Sequence, residues 1–99
     1  MNLTAIIRDL SEAARKLGFS VRTEAGGFSG GRCHLNGDEV IMLNKRHPPE
    51  RQLSVLAAAL RTSAVDAVYL KPAVRRALEE AWSRIDRGIE TSDPEADDA

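Results

Sequence analysis

Asn36-Gly37 restricts the fold of this chain more than any other pair of residues. Both central residues of a type I′ turn need φ > 0, and Asn followed by Gly tolerates this best, so the pair predicts a two-residue β-hairpin loop. The register follows: Leu35 faces Asp38, His34 faces Glu39 and Cys33 faces Val40. Alternation then places Cys33, Leu35, Val40 and Met42 on one face, and His34, Glu39, Ile41 and Leu43 on the other. Val40 to Leu43 is apolar on both faces, which predicts that the second strand is the central one.

The hairpin leads into Asn44-Lys45-Arg46-His47-Pro48-Pro49-Glu50. Proline needs no N–H donor and pre-sets φ, so it suits a first helical turn, where Glu50 complements the helix dipole. Leu53, Leu56, Ala57, Leu60 and Ala64 recur at the spacing of one helix face. Ala57 to Ala59 favour helix and let another backbone approach closely, so this helix is expected to be the packing centre.

Upstream, Leu3, Ile6, Ile7, Leu10, Ala13, Ala14 and Leu17 form the stripe of an amphipathic helix, with Asn2 or Thr4 as N-cap. Gly18 and Phe19 suit a Schellman ending. Phe19 to Thr23 alternates like a half-buried strand. Gly26 to Gly31 contains four glycines. A phosphate-cradling reading of that run lacks the Gly-Lys-Ser/Thr ending of a P-loop. The plainer expectation is a flexible connection between two antiparallel strands, with Phe28 tucked back onto the core. Downstream, Val65, Val68 and Leu70 suit either a short edge strand or one helical turn. Pro72 opens a last helix striped by Val74, Leu78, Ala81, Trp82, Ile85 and Ile89, with Glu80 and Arg84 at i, i+4 and Gly88 near its end.

At 99 residues the chain is long enough for one domain. That domain is expected over residues 1–90, with an acidic, disordered tail over 91–99. Only Phe19, Phe28, Tyr69 and Trp82 are aromatic, so the core must be mainly aliphatic. A lone cysteine, Cys33, suits a reducing compartment, and the lack of a leader-like or membrane-spanning apolar run makes a cytoplasmic protein the expectation. The net charge of −1 falls unevenly: Asp93, Glu95, Asp97 and Asp98 sit in the tail, leaving residues 1–90 slightly basic. That is far from the clustered basic profile of a nucleic-acid binder, so nucleic acid is not the expected partner.

Val40 to Thr62 resembles the strand-plus-helix core of small IrrE-type zinc metallopeptidase domains. In that family an Ile-x-Leu-Asn strand end, here Ile41 to Asn44, precedes a helix opened by a segment like Pro49-Glu50-Arg51-Gln52. The wider pattern, from Gly30 to Pro72, also resembles a group of small bacterial proteins. The family's helix bears His-Glu-x-x-His. With Leu56-Ala57 on the family's Leu-Ala, those positions fall on Ala58, Ala59 and Thr62. Two imidazoles must hold Zn²⁺ and a carboxylate must activate water, and these side chains do neither. The resemblance therefore implies the scaffold with its active site removed, and no zinc peptidase activity.

Cys33 and His34 are neighbours on a strand and point to opposite faces, so they do not make a shared metal site or a nucleophile–base pair. Cys33 reads as a small buried hydrophobe, and His34 as the cross-strand partner of Glu39. Lys45, Arg46, His47 and Arg51 form the one local basic cluster, with Arg75 and Arg76 as candidate additions in space. An anion site at the helix N-terminus would lack the N–H groups that Pro48 and Pro49 remove, so a solvated rim steering an acidic protein partner is preferred. Trp82 reads as core, or as an interface if partly exposed.

The expected fold is α+β: an N-terminal helix, a small antiparallel sheet of about three strands with the Asn-Gly hairpin, and two C-terminal helices. The expected role is a non-catalytic protein-interaction or regulatory module using Lys45, Arg46, Arg51, Arg75 and Arg76, with no metal or cofactor. A homodimer would be one way for so small a domain to gain stability. The alternatives are a small-ligand binder or enzyme using the Gly-rich loop with Cys33 and His34, and then a nucleic-acid-binding accessory protein.

Overall fold

The chain runs α1 (Leu3–Lys16), β1 (Ser20–Glu24), β2 (Gly31–Leu35), β3 (Asp38–Asn44), α2 (Pro49–Leu60), a 3₁₀ turn Val65–Ala67 and α3 (Pro72–Asp86), in a computed structural model that describes residues 1–88. It is an α+β fold. The expected tail, and Ile89 of the last helical stripe, lie outside the described residues. Among those residues no helix is long and apolar enough to cross a membrane.

The hairpin turns at Asn36-Gly37, with φ of 52° and 87°. Its register is the one that the turn dictates, Leu35 to Asp38, His34 to Glu39 and Cys33 to Val40. β3 is central, as its apolar character on both faces requires. The sheet is mixed and not antiparallel throughout, because its order is β1-β3-β2 and β1 pairs with β3 in parallel, Ser20 beside Val40 and Glu24 beside Asn44. β1 and β2 do run in opposite directions, but β3 lies between them. A strand that is antiparallel to β2 must then be parallel to β1. The Gly-rich segment is thus a crossover past the end of β3 and not a hairpin loop.

α1 starts and stops by side-chain and backbone caps. Asn2 accepts the Ala5 N–H at 2.8 Å, satisfying one orphan donor of the first turn. At the other end Gly18 (φ 100°) reverses the chain, with Phe19 N–H bonded to Ala14 O and Gly18 N–H to Arg15 O, both at 3.0 Å. This is the Schellman pattern, and it turns Phe19 into the core.

α2 is the packing centre, but it is buried around most of its circumference and not along one stripe: Ser54 to Ala57, Ala59 and Leu60 are all buried, whereas Ala64 falls beyond its end. Leu10 from α1, Ile41 and Leu43 from β3, and Val74 and Leu78 from α3 join it in one cluster. Ile41 and Leu43 reach that cluster because their face of the sheet is the helix-covered one. Cys33 pairs with Val40 on the opposite face, on an edge strand, and is exposed and not buried. The segment after α2 makes one 3₁₀ turn, burying Val65.

Trp82 is half-buried and joins α3 to the last turn of α2. The terminal carbonyls of a helix have no partner in the ladder. Here Trp82 Nε1 donates to Ala57 O at 2.7 Å, Arg61 N–H bonds Ala58 O at 3.3 Å, and Ser63 Oγ donates to Leu60 O at 2.7 Å. Arg61 lies over the indole, 5.3 Å from the ring centroid, while gripping Asp86 of α3 with both terminal nitrogens at 3.1 and 2.8 Å. Trp82→Phe keeps most of the apolar area and leaves Ala57 O unpaired. It is expected to cost about 1–3 kcal/mol, measured by urea unfolding.

Candidate functional site

β3 ends at Asn44, which is only 2% exposed and whose side chain organises the corner between sheet and α2. Nδ2 donates to the carbonyls of Gly26 (2.9 Å) and Phe28 (2.6 Å), and Oδ1 accepts the Arg46 N–H at 2.9 Å. The last contact is an Asx turn, in which an asparagine bonds the backbone two residues on. Gln52, one turn into α2, closes the other side: its Nε2 donates to His47 O at 3.0 Å and Asn44 O at 3.3 Å. One buried amide thus pins both the crossover and the entry to α2.

The glycines of the crossover differ in what they require. Gly30 has φ of 84°, and a Cβ there would stand 2.7 Å from Met42 O, so only glycine fits as the chain passes β3. A Cβ on Gly26 would press on the Phe28 ring at 3.1 Å. Gly27 has neither restriction: its φ is ordinary and a Cβ would meet nothing within 4 Å. Between this loop and the strand end lies an open depression of about 380 Å³, lined by Gly26 to Ser29 on one side and by Asn44, Arg46 and His47 on the other.

Arg8, Arg32, Arg61, Lys71 and Arg75 each have a carboxylate partner. Among the described residues Lys45, Arg46 and Arg51 have none, as is also the case for Arg15, Lys16, Arg22, Arg76, Arg84 and Arg87; what marks this corner is that three such cations lie within seven residues. Moreover, Nε and Nη2 of Arg51 and Nδ1 of His47 are shut off from solvent with no hydrogen-bond partner. A buried polar group left unpaired costs about 1–3 kcal/mol, so such atoms mark places where water, an ion or a ligand completes the structure. Arg51 lies one turn before Val55, whose Cγ1 is 3.6 Å from the Cβ position of Gly30, so it stands on the loop side of α2.

The other residues singled out in the sequence do not line this depression. Arg75 donates to Glu79 and Asp66, and these hydrogen bonds, the one to Glu79 foremost, raise its pKa above the ordinary arginine value. Arg76 lines a groove of about 490 Å³ between the helices, with Leu3, Leu53 and Ala77 among its apolar residues and Glu50 and Glu80 among its charged ones. Cys33 and His34 do not wall the Gly-rich loop. They pair with Val40 and Glu39, about 13–17 Å along β3 from Asn44 at 3.3 Å per residue. His34 Nε2 is 3.2 Å from Glu39 Oε1, the cross-strand pair expected for it. Ala58, Ala59 and Thr62 border a shallow hollow over β2, where Arg32 Nη1 donates to Thr62 Oγ1 at 3.3 Å. Among the described residues no group of three or more His, Cys, Asp or Glu side chains is placed to hold a metal ion.

Asn44 and Gln52 were not legible as site residues. A polar residue ending an apolar strand two positions before Arg46 is the one local sign of the Asx turn; its loop partners are 16 and 18 residues away. Comparison with family models, with curated proteins and with solved structures finds no match to this chain.

Asn44→Ala leaves two loop carbonyls and the Arg46 N–H without a partner, and Gly30→Ala forces a Cβ onto Met42 O. Each is expected to lower the unfolding free energy by about 1–3 kcal/mol in urea, with the two effects less than additive because both loosen the same crossover.

Proposed function

We propose that the chain is a non-catalytic protein-interaction module that takes an acidic segment of its partner at the corner formed by Lys45, Arg46, His47 and Arg51. The supporting observation is the charge without an internal partner there: among the described residues no carboxylate pairs with the exposed Lys45 and Arg46 or with Arg51 beside them. Acidic groups of a partner complete such a site and gain charge-assisted hydrogen bonds at about twice the strength of neutral ones. The same positive corner speeds encounter with an acidic surface.

A binding role without chemistry also suits the rest of the chain. His34 is engaged by Glu39, and Cys33 points away from it on the other face of β2. On the IrrE-type resemblance, Ala58, Ala59 and Thr62 stand where a peptidase has its ligands and base, which fits a scaffold reused for recognition. Arg75, held by Glu79 and Asp66, contributes less to this surface than its charge suggests.

The test is capture of a partner from nuclease-treated lysate of the source cells by the tagged chain and its variants. The triple change Lys45→Ala, Arg46→Ala, Arg51→Ala is expected to weaken capture roughly tenfold or more, and rising salt to weaken wild-type capture. Arg75→Ala is expected to leave it unchanged. Capture that survives the triple change would remove the corner from the interface, and capture abolished by nuclease would point to nucleic acid.

A further inference from the structure

We infer that the depression between the Gly26–Ser29 loop and Asn44, Arg46 and His47 is a phosphate site, so that the acidic segment proposed above is held by a phosphate monoester; this rests on the reading of the corner as the binding surface.

The first ground is the donor set. Among the described residues none of the backbone N–H groups from Gly26 to Ser29 donates within the chain, although the carbonyls of Gly26 and Phe28 are both held by Asn44. The loop is therefore fixed through its acceptors while its donors stay open. The Ser29 hydroxyl and the Arg46 guanidinium add side-chain donors around the same space. A carboxylate offers two oxygens and one charge. A phosphate monoester offers three terminal oxygens and about −1.5 to −2 charge near neutral pH, which uses more of these donors.

The second ground is the charge balance. Among the described residues no carboxylate lines the depression, and Arg46 is flanked by Lys45, with Arg51 nearby on α2. Nε and Nη2 of Arg51, outside the lining of the depression, are buried donors without an acceptor and add to the positive charge of this corner. The first turn of α2 supplies few donors, since Pro48 and Pro49 have no N–H. The loop, and not the helix terminus, provides the backbone part of the site.

Gly27 supplies the third ground. The fold does not require glycine there: its φ is ordinary, and a Cβ would have open space. It nevertheless borders the depression, where the bare backbone lets an anion come up to the amides. Gly30 is explained by the passage over Met42, and Gly27 is explained by a ligand.

The test uses the full chain labelled with ¹⁵N, titrated at constant ionic strength with inorganic phosphate, methyl phosphate and acetate. Saturable shifts are expected at the amides of Gly26, Gly27, Phe28 and Ser29, with both phosphates at least tenfold tighter than acetate. Gly27→Ala is expected to keep the urea midpoint of the wild type and weaken methyl phosphate at least tenfold; Arg46→Ala is expected to weaken it likewise. Shifts that do not saturate, that match those of acetate or that are untouched by Gly27→Ala overturn the site. A further arm compares an acidic peptide containing one phosphoserine with its unphosphorylated form and with methyl phosphate. A phosphopeptide that binds at least tenfold tighter than both supports a partner-borne phosphate. One that binds no tighter than methyl phosphate overturns that part and leaves a small phosphorylated molecule as the ligand. Loss of partner capture in the triple variant together with no phosphate response refutes the phosphate site alone and leaves the basic corner standing.

Discussion

The amide of Asn44 is the contact on which the rest of this corner depends. A chain that leaves one edge of a three-stranded sheet and returns on the other must pass over the end of the central strand. There its carbonyls lie close to the core and need partners, because a buried polar group left unpaired costs more than a hydrogen bond contributes. Asn44 answers two of them with one side chain and the following turn with its oxygen. The strand order, the open amides of the loop and the direction in which α2 departs are joined through that residue. It is a structural device, with Arg46 and His47 beside it at the rim of the depression.

The core serves this arrangement by fixing α2 against everything else. Leu10, Leu56, Leu60 and Leu78 are fully buried, each contributing about 1.5–3 kcal/mol of apolar transfer. With so few aromatic residues the packing is aliphatic, and the alanines at positions 57–59 let neighbouring elements close in on the helix. A helix clasped by α1, α3 and the sheet holds its first turn still. Arg51 and Gln52 in that turn therefore keep a constant relation to the strand end.

Much of this was legible because it is local. The Asn36-Gly37 turn sets its own register; Gly18 and Phe19 end α1 through bonds to residues three to five back; and the apolar stripes of all three helices repeat within a few turns. What was not legible depends on partners far along the chain. Nothing near Ser20–Glu24 says that these residues pair in parallel with Val40–Asn44. A hairpin fixes only its own two strands, and the third may join either edge in a direction decided by where the connection passes. Cys33 differs from its expected burial because alternation does not tell which strand is at the edge: Val40 on the same face of central β3 is 2% exposed, whereas Cys33 on edge strand β2 is exposed. At the corner, the basic cluster is visible in the sequence, whereas the Gly-rich loop that shares its depression is separated from it by a hairpin and reads as a connection. Arg75 looked available until Asp66, nine residues earlier, came into reach across the 3₁₀ turn.

The position of the single tryptophan has an optical consequence. Trp82 sits at the C-terminal end of α2, whereas the basic corner sits at its N-terminal end, about 12–15 Å away at 1.5 Å per residue. Its indole is hydrogen-bonded to a helix carbonyl and covered by a guanidinium, so its emission responds to the parting of α3 from α2. An anion settling at the far end of the helix changes none of those neighbours. Fluorescence thus reports whether the molecule is assembled, and stays dark to whether its corner is filled.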